Sequence, residues 1–359
     1  MAKGSELIAT LAQANFVALR QVEMKGVDLA QFQFDYDLNW AAMFINADGT
    51  VYGRYGTQSA QGPDAFNSIA SLEKAMLRVL ALHADYPKNA AALAGKHPPA
   101  KPYKTALEMP GLKRKEQLRG PTVRGNCIHC HNIHDAEQQQ WKDPGKFSQE
   151  LLWRYPLPDN IGIHIDPQDG CKIESVNSES PAATAGLRSG DIVTHANGQP
   201  IISIADIQWV LHHLPNAEAT VKISVARGNT ASTKDLALPR GWKKTDISWR
   251  GSMYSLRPRP GFWGPELTGE ELKALHLAPG NKALRVQNID AKAPQGRAAV
   301  EAGLRKDDLI VGLEGKPLAF TPPQFNAHVR LNYRAGDKLP LTILRNGKQQ
   351  LIELPFVEE

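Results

Sequence analysis

The chain has 359 residues, 42% hydrophobic and 22% charged, with a formal net charge of +5. At roughly 150 residues per domain this length predicts two or three domains, and the composition excludes a disordered chain, a collagen and a disulfide scaffold. No stretch approaches the ~18 consecutive apolar residues of a membrane span, and so mild a basic excess does not call for nucleic acid. The opening, Met1-Ala2-Lys3-Gly4-Ser5-Glu6, lacks the apolar core and cleavage site of a secretory signal. It fits a cytoplasmic protein, or a mature chain behind a new start codon.

In chain order, residues 5–14 read as a short helix with Leu7, Ile8 and Leu11 on one face. Residues 15–24, NFVALRQVEM, read as a strand. The apolar run 40–46, the turn Asp48-Gly49 and the run 50–55 predict a hairpin. A helix is expected from about 64 to 83, carrying Phe66, Ile69, Leu72, Met76, Val79 and Leu80 at helical spacing. Asp35 and Asp37 mark the loop before the hairpin rather than an acid–base pair.

Residues 86–125 change character, with six prolines and many lysines and arginines facing only Glu108 and Glu116. This predicts a basic connector, either a solvated linker or a docking surface for an acidic partner or anionic cofactor groups. It leads into Cys127-Ile128-His129-Cys130-His131, which has the c-type haem attachment pattern. Thiols at i and i+3 can each add to one haem vinyl group, with His131 on the same helical turn as proximal axial ligand. Met109 and His97 are candidate sixth ligands. His134 extends the pattern so that Cys127, Cys130, His131 and His134 share one helix face. That face could hold copper or zinc instead. The two cysteines could also act as a thiol–disulfide pair, or be incidental. Cys171 reads as a half-buried strand residue.

The C-terminal half repeats itself. Ala185-Gly186-Leu187-Arg188-Ser189-Gly190-Asp191 returns as Ala302-Gly303-Leu304-Arg305-Lys306-Asp307-Asp308, and Asn197-Gly198 returns as Glu314-Gly315. Each block is followed by a helical stretch, 204–214 and 322–331, and by a strand ending in a turn. With the Ser-Pro-Ala-Ala-x-Ala-Gly-Leu-x-x-Gly-Asp string at 180–191, these residues resemble PDZ domains of the bacterial, HtrA-like type. The second copy departs from the pattern: Asp307 replaces the glycine, and Gln295-Gly296-Arg297 stands in place of Ser-Pro.

The resemblance implies that a peptide strand adds to a sheet edge beside a helix, its carboxylate held by loop N–H groups. In the first copy the loop is Asn160-Ile161-Gly162-Ile163 and the groove helix carries Asp206, Ile207, Val210 and Leu211, with His212 and His213 on its polar face. In the second copy the loop is Trp263-Gly264-Pro265-Glu266, where Pro265 lacks an N–H. The order helix, strand, hairpin, helix over residues 5–85 resembles the later part of a thioredoxin-like domain. The opening strand, the redox Cys-x-x-Cys and the cis-proline of that fold have no counterpart here.

The expected architecture is multidomain α+β, a thioredoxin-like α/β module followed by two PDZ-like partly open β-barrels. The expected segments are 1–90 (incomplete thioredoxin-like), 91–150 (connector with the Cys-x-x-Cys-His helix), 151–245 and 246–359 (PDZ-like). The sequence lacks a Gly-x-Ser-Gly-Gly-like turn, a His-Glu-x-x-His helix and a phosphate-binding glycine loop. These absences point away from a hydrolase, toward haem c electron transfer or redox sensing on a PDZ scaffold, with a redox partner and PDZ-bound protein partners. The alternative is a PDZ adaptor whose cysteine segment binds copper or zinc or forms a redox pair. Haem attachment implies a periplasmic or cell-envelope location.

Overall fold

A computed structural model of the chain describes residues 6–142 and 147–358. They divide into two compact α+β units that meet in sequence at Thr245 and Asp246. The first three segments expected from sequence lie within the first unit. No helix among the described residues is long and apolar enough to cross a membrane.

The first unit begins with α1 (Glu6–Asn15). The strand expected at 15–24 does not form. Residues 16–23 are irregular, and Val17 and Leu19 are 93% exposed. Alternation alone does not hold a strand without a neighbouring ladder and a buried face. β1 (Ala42–Ile45) and β2 (Val51–Tyr55) form an antiparallel hairpin across Asp48-Gly49, where Asp48 accepts from Thr50 N–H. α2 (Ile69–Ala84) starts later than expected, because Ser68 caps it in a reciprocal box with Ser71. Asn67 holds the preceding residues as a loop by donating to Thr57 O and Pro63 O. Phe66 therefore lies outside the helix.

The connector contributes α3 (Ala90–Leu93) and α4 (Lys115–Leu118), and α5 (Cys130–Lys142) follows. Much of the connector is folded rather than solvated. Its Tyr103, Ala106, Met109 and Leu112 pack with Met24, Leu29, Tyr36, Ile128, Ile133 and Ala136 in one core. Gly111 lies against the α5 backbone, where a Cβ would come within 2.0 Å of Ala136 O.

The unit is completed by β3 (Ile163–Ile165), β4 (Ile173–Val176), α6 (Pro181–Thr184), β5 (Ile192–Ala196), β6 (Gln199–Pro200), α7 (Ile204–His212), β7 (Ala219–Arg227) and β8 (Thr230–Leu238). The main sheet runs β6-β5-β7-β8, all antiparallel, and β3 pairs with β4. Their inward residues, with those of α7, form the largest core cluster.

The second unit repeats this plan with β9 (Phe262–Trp263), α8 (Gly269–Ala274), β10 (Leu284–Arg285), β11 (Asn288–Ile289), α9 (Pro294–Glu301), β12 (Leu309–Leu313), β13 (Lys316–Pro317), α10 (Pro322–Asn332), β14 (Lys338–Arg345) and β15 (Lys348–Pro355). Its sheet runs β10-β12-β14-β15, with β13 on β12. The repeated Asp explains itself: Asp191 binds Arg227 and Asp308 binds Arg345, and each arginine also donates to the helix-exit glycine carbonyl, Gly186 or Gly303. Asp307 adopts the same left-handed turn (φ 69°) as Gly190 (φ 86°), a conformation aspartate tolerates better than most residues. The Ser-Pro equivalent is Ala293-Pro294, not Gln295-Gly296-Arg297. Pro294 takes the first helical position, and α9 has 8 residues where α6 has 4, so the second copy carries one extra helical turn.

Candidate functional site

Cys127 precedes α5, and Cys130 opens it. Asn132 accepts from His129 N–H and helps fix this start. Both thiols are partly buried and neither is in a disulfide. Burial pushes the Cys130 thiol above its ordinary pKa, the opposite of an activated thiolate. His131 lies at the surface with Nδ1 3.3 Å from Asp135, which raises its pKa. Met109 is fully buried in the apolar core that Cys130 joins. That space is filled by the protein's own side chains, Met109 among them. His97 is exposed.

His134 does not join the two cysteines. It is 2% exposed and stands between two acidic groups. Its Nδ1 lies 3.1 Å from Glu137 Oε2 and 2.5 Å from Arg154, and its Nε2 lies 3.5 Å from Asp35. Burial and Arg154 pull the imidazole pKa down, but Asp35, Glu137 and Asp37 outweigh them and leave it raised. Burial also opposes the Glu137 charge, yet Arg154, His134 and Lys101 hold its carboxyl well below the usual range. The four-residue Cys–His metal face expected from the helical spacing is thus split in two. Helical register fixed the backbone positions and the i+3 neighbour Glu137, but Asp35 and Asp37 lie about a hundred positions away in sequence.

The expected groove residues do come together. Ile161, Ile163, Ile207, Val210 and Leu211 share one core cluster, and Gly162 (φ 86°) sits so close to Ser180 that a Cβ would be 2.1 Å from its Oγ. Among the described residues β3 has one strand partner, β4, which leaves its other edge without a ladder. The groove is nonetheless closed. Every residue of α7 from Ile204 to Leu211 is buried. Gly162 N–H is bonded to Asp159 O, so this loop donor is already used.

Arg54, Lys96, Trp209 and Tyr155, which the sequence did not single out, close it. Asp206 accepts from Arg54 N–H and from Lys96 Nζ, and the Arg54 guanidinium lies 3.4 Å from the centre of the Trp209 ring. Trp209 donates to Gly95 O. On the next face Tyr155 stacks on His212, ring centres 4.1 Å apart. The Tyr155 N–H reaches His212 Nδ1 and its carbonyl accepts from Gln208. Tyr155 does this with a left-handed backbone (φ 45°), which costs a non-glycine residue about 1–2 kcal/mol. Phe66 packs against the same cluster. By contrast α10 keeps Asn326 and His328 partly exposed.

A PDZ-domain family model matches residues 159–238. The chain contains a PDZ domain. It is similar to the magnetosome formation protease MamE of Magnetospirillum gryphiswaldense, 24% identical over 234 residues, 55% of this chain and 29% of that protein. It is also similar to a probable periplasmic serine endoprotease, DegP-like, of Pseudomonas putida (28% over 235 residues, 62% of this chain, 46% of the relative). A third relative is the periplasmic pH-dependent serine endoprotease DegQ of Escherichia coli (28% over 153 residues, 42% and 30%). The chain spans less than half the length of these relatives. Among solved structures, the HtrA-type protease AlgW with a decapeptide covers 46% of this chain and 54% of its own at 15% identity and a TM-score of 0.24.

These relatives correct the functional expectation. They are HtrA/DegP-like proteases, not cytochromes or redox carriers, which overturns both the haem electron-transfer reading and the alternative of a metal-clipped or thiol adaptor. The preference for a carrier or binding protein over a hydrolase falls with them, since the relatives are serine endoproteases.

Proposed function

We propose that the chain is an HtrA-like, peptidase-related protein of the cell envelope whose first PDZ copy captures extended segments of protein substrates. The PDZ match at 159–238, with the β3 edge beside α7, carries this reading. Backbone pairing along β3 would supply affinity, and the cluster around Ile161, Ile163 and Ile207 would receive alternate side chains. The relatives' names supply the peptidase part and the periplasmic location. The hairpin with α2 is read as the remnant of a thioredoxin-like fold, on the order of its elements, and serves to brace α7 through Arg54. Tyr155 acts as the internal occupant of α7 and must withdraw before a peptide docks.

Fluorescence anisotropy with labelled peptides bearing free or amidated C-termini tests the capture. Saturable binding that Gly162→Val abolishes is expected. The peptidase part is tested by degradation of unfolded casein and labelling with a fluorophosphonate. A folded chain that binds no peptide, even with Tyr155→Ala, overturns the capture reading, and one that neither cleaves nor labels overturns the peptidase reading.

A further inference from the structure

Asp35 and Asp37 flank Tyr36 in the turn before the hairpin, and Asp37 N–H donates to Asp35 Oδ1 at 3.2 Å. Both carboxylates lie near His134 of α5. One ligand atom each from Asp35, Asp37 and His134 lies within 4.8 Å of the others, and all three residues are buried. The His134 Nε2 atom is wholly buried and makes no hydrogen bond. It faces Asp35 Oδ1 at 3.5 Å.

The opposite edge of the ring meets two groups, the Glu137 carboxylate and the nearer Arg154 guanidinium at 2.5 Å. Metal-ligating histidines characteristically donate their second nitrogen to a carboxylate, and Glu137 lies 3.1 Å from Nδ1. Glu137 is itself fixed by Lys101 at 2.7 Å and by Tyr103 and Arg154, and the Tyr36 ring meets the imidazole edge-on at 5.3 Å. An ion held about 2.0–2.2 Å from each ligand sets ligand atoms roughly 3.0–3.5 Å apart. The His134–Asp35 separation of 3.5 Å has that spacing, and a ligand oxygen of Asp37 lies within 4.8 Å of both.

We propose that Asp35, Asp37 and His134 form a binding site for one divalent transition-metal cation, separate from Cys127 and Cys130. One nitrogen with two carboxylates suits zinc, manganese or ferrous iron better than a soft monovalent ion. On binding, the cation takes the Nε2 lone pair and displaces any proton held there. The site does not depend on the peptide-capture reading.

The test uses the whole chain, stripped with chelator and titrated with zinc or manganese by calorimetry. One equivalent is expected to bind. Affinity should fall at least tenfold in Asp35→Asn/Asp37→Asn and in His134→Gln, and stay unchanged in Cys127→Ser/Cys130→Ser. Cobalt(II) loading of the unaltered chain is a second measurement, free of any folding defect in the variants. It should give weak d–d bands without thiolate charge transfer. Absence of saturable binding overturns the site, as does binding that survives loss of both aspartates. Loss of binding with the two cysteines, or a cobalt–thiolate band, assigns the metal to the thiols and overturns it as well.

Discussion

Lys96 Nζ lies 2.6 Å from Asp206 Oδ2, with both side chains 1% exposed. The pair joins the basic connector to the groove helix of the first PDZ copy. Burial lowers the Lys96 pKa against the pull of Asp206, so the ammonium relies on this partner. Removing one member of a buried pair leaves the other charge uncompensated, at about 3–5 kcal/mol. Lys96→Met and Asp206→Asn should each lower first-unit stability by that order. The double variant should cost far less than their sum, because the two share one interaction. Urea unfolding of the four proteins checks this.

Gly111 predicts a different kind of loss. A methyl group there meets Ala136 O at 2.0 Å and Gln140 N at 2.7 Å, both backbone atoms of α5. Backbone cannot rotate away, so Gly111→Ala should destabilise the first unit by about 1–3 kcal/mol. Thermal unfolding should show its transition moving down while that of the second unit stays in place.

Tyr155 and Gln208 give a prediction of opposite sign. Tyr155→Ala removes the stack on His212, a contact of about 1 kcal/mol, and Gln208→Ala removes the donor to the Tyr155 carbonyl. Each should tighten peptide binding, by about fivefold for the stack alone. A purely structural role would weaken it. Anisotropy titrations on both variants decide between the two.

Acid should open the same contact. Burial between Tyr155 and its neighbours pulls the His212 pKa well below its ordinary value, helped by His213, Lys243 and Arg154 and opposed by Asp35. A histidine depressed on closing is neutral in both states above about pH 6.5, so its contribution is complete there. As pH falls below that value, the open form takes up a proton that the closed form refuses. The closed form then loses up to about 1.4 kcal/mol per pH unit until the depressed pKa is passed. His213 shifts in the same direction. Peptide binding should therefore be tighter at pH 5.5 than at 7.5, with the difference reduced in His212→Gln and further in His212→Gln/His213→Gln.

The repeated half was readable because its signals are local. Gly190, Asp307 and Asn197 occupy turns whose left-handed backbones suit their residue types, and Glu314 takes such a turn directly before Gly315. The hairpin at Asp48-Gly49 was readable for the same reason. The stretch around Val17 and Leu19 misled because its pattern is that of a strand, whereas a strand also needs a partner. The connector misled in the other direction: its prolines and charges suggested solvent, yet Lys96 and Met109 are buried by residues distant in sequence. The Cys-x-x-Cys-His string gave a strong chemical signal but no information about its surroundings. His134 faces Asp35 and Asp37, a grouping that no spacing along the chain could reveal.

The hold of α7 on the Tyr155 backbone sets what kind of ligand the first copy can serve. A site available only in a minor fraction of molecules binds with its intrinsic constant divided by that fraction, so an open population of about 1% weakens binding about a hundredfold. Isolated short peptides would then register poorly. A long unfolded chain offering many segments would still be held, because rebinding after the first capture is governed by local concentration. Such a groove discriminates by the length and extendedness of its guest more than by the last few residues of a tail.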